Sequence, residues 1–232
     1  MRIKSFQKTT LIDYPGFLAS TIFVGACNFK CDYCYNKELV YNHHKLADLD
    51  ELKLLSDLKL RSNFIEGIVI TGGEPTLQVD LVDFILKLRE LGFKIKLDTN
   101  GFRPEIIKNL LSLKIIDYIA MDVKAPLDRY SEITGININI DKIIESILSI
   151  KASNIAYEFR TTVWKNAFSL ADFIKIFELI KGCSNYYIQN MYPYFTIQPN
   201  CSYSPMSRQD ILPIIDIGKR HIENMVLRGE WF

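Results

Sequence analysis

Ser20-Thr21-Ile22-Phe23-Val24-Gly25 runs almost directly into Cys27-Asn28-Phe29-Lys30-Cys31-Asp32-Tyr33-Cys34. A β-branched stretch is followed by three of the chain's 5 cysteines, spaced C-x₃-C-x₂-C. Thiolates are soft ligands that suit iron–sulfur clusters or zinc. A closed structural zinc site takes four ligands, and an electron-transfer cluster also takes four. Three supplied together leave one metal position open, and an open position is where chemistry occurs. The alternative is a zinc site completed by a distant His43, His44, Cys183 or Cys201. Three unrelated core cysteines fit poorly, because Asn28, Lys30 and Asp32 break any apolar run. A disulfide framework is disfavoured by the odd count and by an N-terminus without an apolar signal region.

Strand followed by chemistry recurs along the chain. Gly67-Ile68-Val69-Ile70-Thr71 ends at Gly72-Gly73-Glu74. Lys94-Ile95-Lys96-Leu97 ends at Asp98-Thr99-Asn100-Gly101, and Asp117-Tyr118-Ile119-Ala120-Met121 ends at Asp122. Two further runs, 157–163 and 186–190, bring the expected strands to six. Helical patterns lie between them. Leu52, Leu55 and Leu58 share one face, as do Leu81, Phe84, Ile85 and Leu88, with Gly92 as a C-cap. Pro104 opens a helix through Ile107, Leu110 and Leu111. Ile140, Ile143, Ile144 and Ile147 form another stripe. Ser169 caps a helix carrying Leu170, Phe173, Ile174 and Phe177. Ser207 with Asp210 starts the last. Strand–helix alternation means a parallel sheet, either an open doubly wound sheet or a partial barrel. Motifs at the ends of four successive strands favour an α/β fold of the partial (β/α)₆ barrel type, in which catalytic groups collect on the C-terminal face. About forty residues follow the sixth strand, read as one helix and the tail Arg228-Gly229-Glu230-Trp231-Phe232. Six strands do not close a barrel, so one side should stay open.

Length and composition narrow the class. With 232 residues, 48% hydrophobic and 24% charged, the chain reads as one globular domain over 1–232. A net charge of +1 gives no case for nucleic acid or an acidic membrane. No transmembrane run appears, and a cytoplasmic location, where thiols stay reduced, is expected.

The cysteine spacing, with the aromatic Tyr33 before the last cysteine, resembles the cluster motif of the radical S-adenosylmethionine (SAM) family. The resemblance implies that Cys27, Cys31 and Cys34 hold three irons of a 4Fe-4S cluster, and that SAM chelates the fourth. It also carries over the aromatic neighbours Tyr33 and Tyr35 to the cofactor side. Gly72-Gly73-Glu74 is similar to the family's GGE motif, which hydrogen-bonds the SAM amino group. Read as residues alone, it is a glycine turn that lets backbone approach a ligand closely.

Asp98 and Asp122 end adjacent strands about 4.8 Å apart, so their carboxylates converge and need cationic or shared donors. Lys124 supplies part of that charge; ribose hydroxyls or a monovalent cation could supply the rest. The alternative is that both aspartates initiate turns. The segments Asp98-Thr99-Asn100-Gly101 and Asp122-Val123-Lys124 resemble those of glycyl-radical-enzyme activators. In pyruvate formate-lyase activating enzymes these contact SAM and a monovalent cation, which implies cofactor roles for Asp98, Thr99, Asp122 and Lys124. Arg160, inside a strand-like run, pairs either with Glu158 or another lumen carboxylate, or with the SAM carboxylate. Gln189 is a weaker case. Cys183 and Cys201 are too few for a second cluster and read as free thiols. His43, His44 and His221 have no spacing that suggests a catalytic set.

Thr10-Leu11-Ile12-Asp13-Tyr14-Pro15-Gly16, the cluster segment and Thr71-Gly72-Gly73-Glu74-Pro75-Thr76-Leu77-Gln78 together resemble the anaerobic ribonucleoside-triphosphate reductase activating type. One departure from the formate-lyase activators is the absence of a histidine in Gln189-Asn190-Met191-Tyr192-Pro193-Tyr194. The resemblance implies a glycyl-radical enzyme as partner and a low-potential donor such as flavodoxin or ferredoxin. A radical SAM enzyme acting on a small molecule or peptide is the alternative. A non-catalytic zinc- or cluster-binding module is the alternative from another class.

Overall fold

The computed structural model describes residues 1–191 and 203–231; the expectation for Cys201 falls outside them. Eight strands form one sheet in chain order. They are β1 (Ile3–Thr10), β2 (Ala19–Val24), β3 (Gly67–Gly72), β4 (Lys94–Thr99), β5 (Tyr118–Asp122), β6 (Ala156–Val163), β7 (Asn185–Asn190) and β8 (Asn224–Arg228). The six strands read from the sequence are β2 to β7. They pair in parallel, and β8 continues the parallel series. β1 lies antiparallel on β2. β1 and β8 are the two edges, so the sheet curls into a barrel that does not close.

The two added strands correct the expected count, and both escape a search for apolar runs for a physical reason. β1 has only two apolar side chains, Ile3 and Phe6, in its eight residues, and buries only its ends. β8 has five residues, none fully buried. β8 also adds to the reading of the region after the sixth strand, since it lies between the last helix and the tail and takes only Arg228 from the tail.

Eight α-helices accompany the strands: α1 (Lys37–Tyr41), α2 (Glu51–Arg61), α3 (Leu81–Glu90), α4 (Pro104–Leu113), α5 (Tyr130–Thr134), α6 (Ile140–Lys151), α7 (Leu170–Leu179) and α8 (Arg208–Gly218). Their ends follow local chemistry. Pro104 occupies the first turn of α4, where its missing N–H costs nothing. Ser169 and Asp172 form a reciprocal capping box on α7. Ser207 accepts from the Asp210 N–H at the start of α8. α3 buries the four residues its periodicity indicated. α2 does not: it buries Leu54 and Leu58, while Leu52 is exposed. Spacing of three repeated twice drifts around a 3.6-residue helix, whereas 54 and 58 stay on one face. Leu170 and Ile174 of α7 are likewise exposed, and Ile176 takes their place in the core. Among the described residues no helix is long and apolar enough to cross a membrane.

The lumen has a floor. The β1–β2 connection folds beneath the sheet, and the ring of Tyr14 lies 5.1 Å from Phe17 and 5.9 Å from Tyr118. Ala19, Val69 and Ala120 complete this small apolar plug. Gly67 makes room for it, since a Cβ there would stand 2.6 Å from Tyr14 Cδ1. The Thr21 hydroxyl donates to Asp13 at 2.7 Å. The segment Ile12-Asp13-Tyr14-Pro15-Gly16 therefore sits at the far end of the lumen from the cysteines.

Candidate functional site

The cysteine segment begins where β2 ends, and neighbouring backbone holds its first turn. Ala26, immediately before Cys27, has φ 75, a left-handed conformation that costs a non-glycine residue roughly 1–3 kcal/mol. Its N–H donates to Leu39 O at 2.8 Å and its carbonyl accepts from Glu74 N at 2.8 Å. Gly73 N donates to Val24 O at 2.8 Å. The β2–β3 ladder thus continues past both strand ends into the cysteine loop. At its other side Lys30 N donates to Thr134 O at 2.8 Å.

Cys27, Cys31 and Cys34 all line one cavity of about 290 Å³ at the C-terminal ends of the strands. Burial pushes the Cys27 thiol up to about 12 and the Cys31 thiol up to about 11, and raises Cys34 as well. Thiolates in such surroundings need the positive charge of a metal. His43, His44 and Cys183, the candidate fourth zinc ligands, do not line the cavity. Among the described residues no three His, Cys, Asp or Glu side chains are arranged to hold a single ion. A four-iron cluster is larger than one ion and takes its thiolates further apart.

Gly73 is fixed by sterics: a Cβ would lie 2.0 Å from the Ala26 carbonyl oxygen. Backbone cannot swing aside as a side chain can. Gly73→Ala is therefore expected to lower stability by about 1–3 kcal/mol and to reduce cluster loading, measured by thermal melting and iron content. Wild-type values for both would show that the approach is not tight. Gly72 O accepts from Asn36 Nδ2 at 3.1 Å.

Glu74 is buried, and its carboxylate is already engaged. It accepts from Thr76 N (3.1 Å), Thr76 Oγ1 (2.5 Å), Thr99 Oγ1 (2.7 Å) and Asn100 N (2.7 Å). Burial outweighs these bonds and raises its pKa. Glu74 and Thr99, both assigned to the ligand by resemblance, thus serve first to tie the loop after β3 to the loop after β4.

The aspartates converge as their strand positions require, and every carboxylate oxygen meets a cation. Lys96 Nζ donates to Asp98 Oδ1 at 2.5 Å, and Arg160 Nη1 to Asp98 Oδ2 at 3.0 Å. Arg160 Nε donates to Asp122 Oδ1 at 2.8 Å, and Lys124 Nζ to Asp122 Oδ2 at 2.9 Å. Arg160 thus meets two lumen carboxylates, those of Asp98 and Asp122. Lys96 and Arg160 add cationic charge at the two aspartates beyond that of Lys124. Burial pushes both aspartates up, but the neighbouring cations prevail and hold them below the ordinary carboxylate range, Asp122 well below.

Beneath this pair lies Glu158, fully buried. It accepts from the Tyr118 hydroxyl at 2.8 Å and from Arg228 Nη1 at 3.2 Å. The Arg228 guanidinium stacks over Tyr187, 4.0 Å from the ring centroid. Sequence reasoning missed Arg228 and Gly229, which line the cavity from β8 and its end. No local signal marks them, since Arg228 reaches Glu158 across 70 positions. Asn36 and Asn100 were also missed, although Asn100 lies within the quoted Asp98–Gly101 segment. Gln189 does line the cavity.

Tyr33 is buried against Trp164, with ring centroids 5.1 Å apart, and Lys124 Nζ lies 5.7 Å from its ring. Its hydroxyl is buried and has no hydrogen-bond partner among the described residues. Tyr35 is more exposed and lines the same cavity. Three thiols, a side-chain-free approach at Gly73 and an orphaned phenol fit a site for a cluster and a polar ligand beside it.

The comparisons agree with this geometry. The radical SAM superfamily model matches residues 21–180, and the chain belongs to that superfamily. Its cofactors are a 4Fe-4S cluster and SAM, and it is an enzyme. A Methanocaldococcus jannaschii protein provisionally named a glycyl-radical enzyme activating enzyme is 36% identical over 223 residues, covering 94% of this chain and 91% of its own. A second protein of that organism with the same provisional name is 28% identical over 208 residues, covering 88% and 78%. Among solved structures, Streptococcus suis SuiB bound to its precursor peptide SuiA superposes with a TM-score of 0.68 at 16% identity, covering 90% of this chain and 48% of SuiB. That likeness shows the fold alone, and the chain spans about half the length of SuiB.

Proposed function

We propose that this chain, acting as one domain in the cytoplasm, installs a glycyl radical on a partner enzyme of the anaerobic ribonucleoside-triphosphate reductase type. The observation that carries the reading is the 36% identity to a protein provisionally named a glycyl-radical enzyme activating enzyme, sustained over nearly the whole of both chains. The motif resemblances at residues 10–16, 27–34 and 71–78 select the reductase class.

When bound, a reduced cluster and SAM would supply the one-electron chemistry that removes a hydrogen atom from the substrate. Cys27, Cys31 and Cys34 hold the cluster. The backbone of Gly72 and Gly73 meets the SAM amino group, with Glu74 and Thr99 fixing that loop. Asp98, Asp122, Lys124 and Arg160 form the polar wall for the ribose and carboxylate. Tyr33 offers its hydroxyl to the adenosyl side, and Tyr35 borders the mouth. A low-potential flavodoxin or ferredoxin would supply the electron. The partner presents an extended loop whose glycine α-carbon, bare of a side chain, approaches the adenosyl carbon closely.

A protein or peptide carrying the reductase's glycine loop is expected to stimulate 5′-deoxyadenosine formation, with a glycyl radical visible by electron paramagnetic resonance. The same partner with that glycine replaced by alanine should give no radical. Full-rate turnover on a small metabolite without any protein partner would overturn the reading.

A further inference from the structure

Two carboxylates facing one cavity from neighbouring strands repel each other. The repulsion can be relieved by a shared proton, a bound metal cation or cationic side chains. Here three cationic side chains take all four oxygens of Asp98 and Asp122. The three are not equivalent. Lys124 and Arg160 line the cavity and can touch what enters it, whereas Lys96 does not line it. Lys96 projects from the middle of β4, 1% exposed, with the Tyr118 ring 5.8 Å from its ammonium. Its side chain ends on Asp98 Oδ1, from two positions earlier in the same strand. An ammonium held there is a counter-charge built into the strand.

We propose that Lys96 occupies the place of a monovalent cation at the Asp98–Asp122 pair and so frees this pocket from any need for inorganic sodium or potassium. Lys96 is a positioning residue. It leaves Asp98 ionised and correctly turned toward Arg160, and it never meets the ligand. Take the ammonium away and Asp98 Oδ1 becomes a buried, unpaired anionic oxygen, which is strongly unfavourable. The space vacated by the side chain would then admit a small hard cation, for which carboxylate oxygen is a suitable ligand.

The proposal rests on the pocket described above, but its first test uses neither cluster nor SAM. Cluster-free wild-type protein should melt at the same temperature in potassium chloride and in tetramethylammonium chloride of equal ionic strength. Lys96→Ala should melt roughly 5–10 °C lower in tetramethylammonium and recover most of that loss in potassium or sodium. Lys96→Met fills the space without a charge and should stay low in every salt. A wild-type melting temperature that rises specifically with potassium would overturn the proposal, as would an alanine variant indifferent to the cation. Should Lys96→Ala fail to fold, SAM binding by the cluster-loaded wild type decides. Its affinity should be unchanged when tetramethylammonium replaces potassium, and a tenfold weakening would sink the idea.

Discussion

Replacing any one of Cys27, Cys31 and Cys34 by alanine is expected to abolish reductive SAM cleavage, while Cys183→Ala retains it. The three line one cavity with no spare ligand from His43, His44 or Cys183, so a lost thiolate has no substitute within reach. Cys183 is 1% exposed within the main core, where its loss removes a small packed side chain and no ligand. The readouts are iron and sulfide content of anaerobically prepared protein and 5′-deoxyadenosine formed with a chemical reductant. On sequence grounds Cys201→Ala should behave like Cys183→Ala. Loss of the cluster in either of those two variants would show that the site needs a fourth protein ligand.

The second large effect is expected at Arg160. Its guanidinium bridges Asp98 and Asp122 and lies 3.8 Å from Glu158. Arg160→Met keeps much of the packing volume but leaves Asp98, Asp122 and Glu158 without their shared guanidinium. Removing one partner from a buried ion network costs about 3–5 kcal/mol. Exposed pairs such as Lys108–Glu145 are worth about 0–1 kcal/mol each. Denaturant unfolding should show the loss directly, and SAM affinity should fall with it. Arg160→Lys should recover only part, because one ammonium cannot span both aspartates as the planar fork does. An Arg160→Met protein that unfolds at the wild-type denaturant concentration would mean that Lys96 and Lys124 suffice to hold the aspartates.

The inner barrel was legible because its signals are local. β2 to β7 are short apolar runs, and four of them end in polar residues that had to share a face once the strands were parallel. Pro104, Ser169 and Ser207 announced their helices through cap chemistry alone. What was not legible depends on contacts between distant segments. Lys96 reads as an ordinary strand lysine until β5 places Tyr118 beside it. Arg160 acquires its partners only when β4, β5 and β6 lie side by side. β8 is too short and too polar at its ends to stand out, yet it delivers Arg228 to Glu158. Nothing in the sequence shows how Thr76, Thr99 and Asn100 close around Glu74.

The hydrogen bonds that carry the β2–β3 ladder into the cysteine loop bear on how the protein acquires iron. Many small metal-binding segments are shapeless until the metal arrives, and binding must then offset the entropy of ordering them. Here backbone groups of Leu39 and Glu74 hold the turn at Ala26, Val24 holds Gly73 beside it, and none of these bonds uses a thiol. The strain at Ala26 is therefore carried by the strands and loops around it rather than by the ligands.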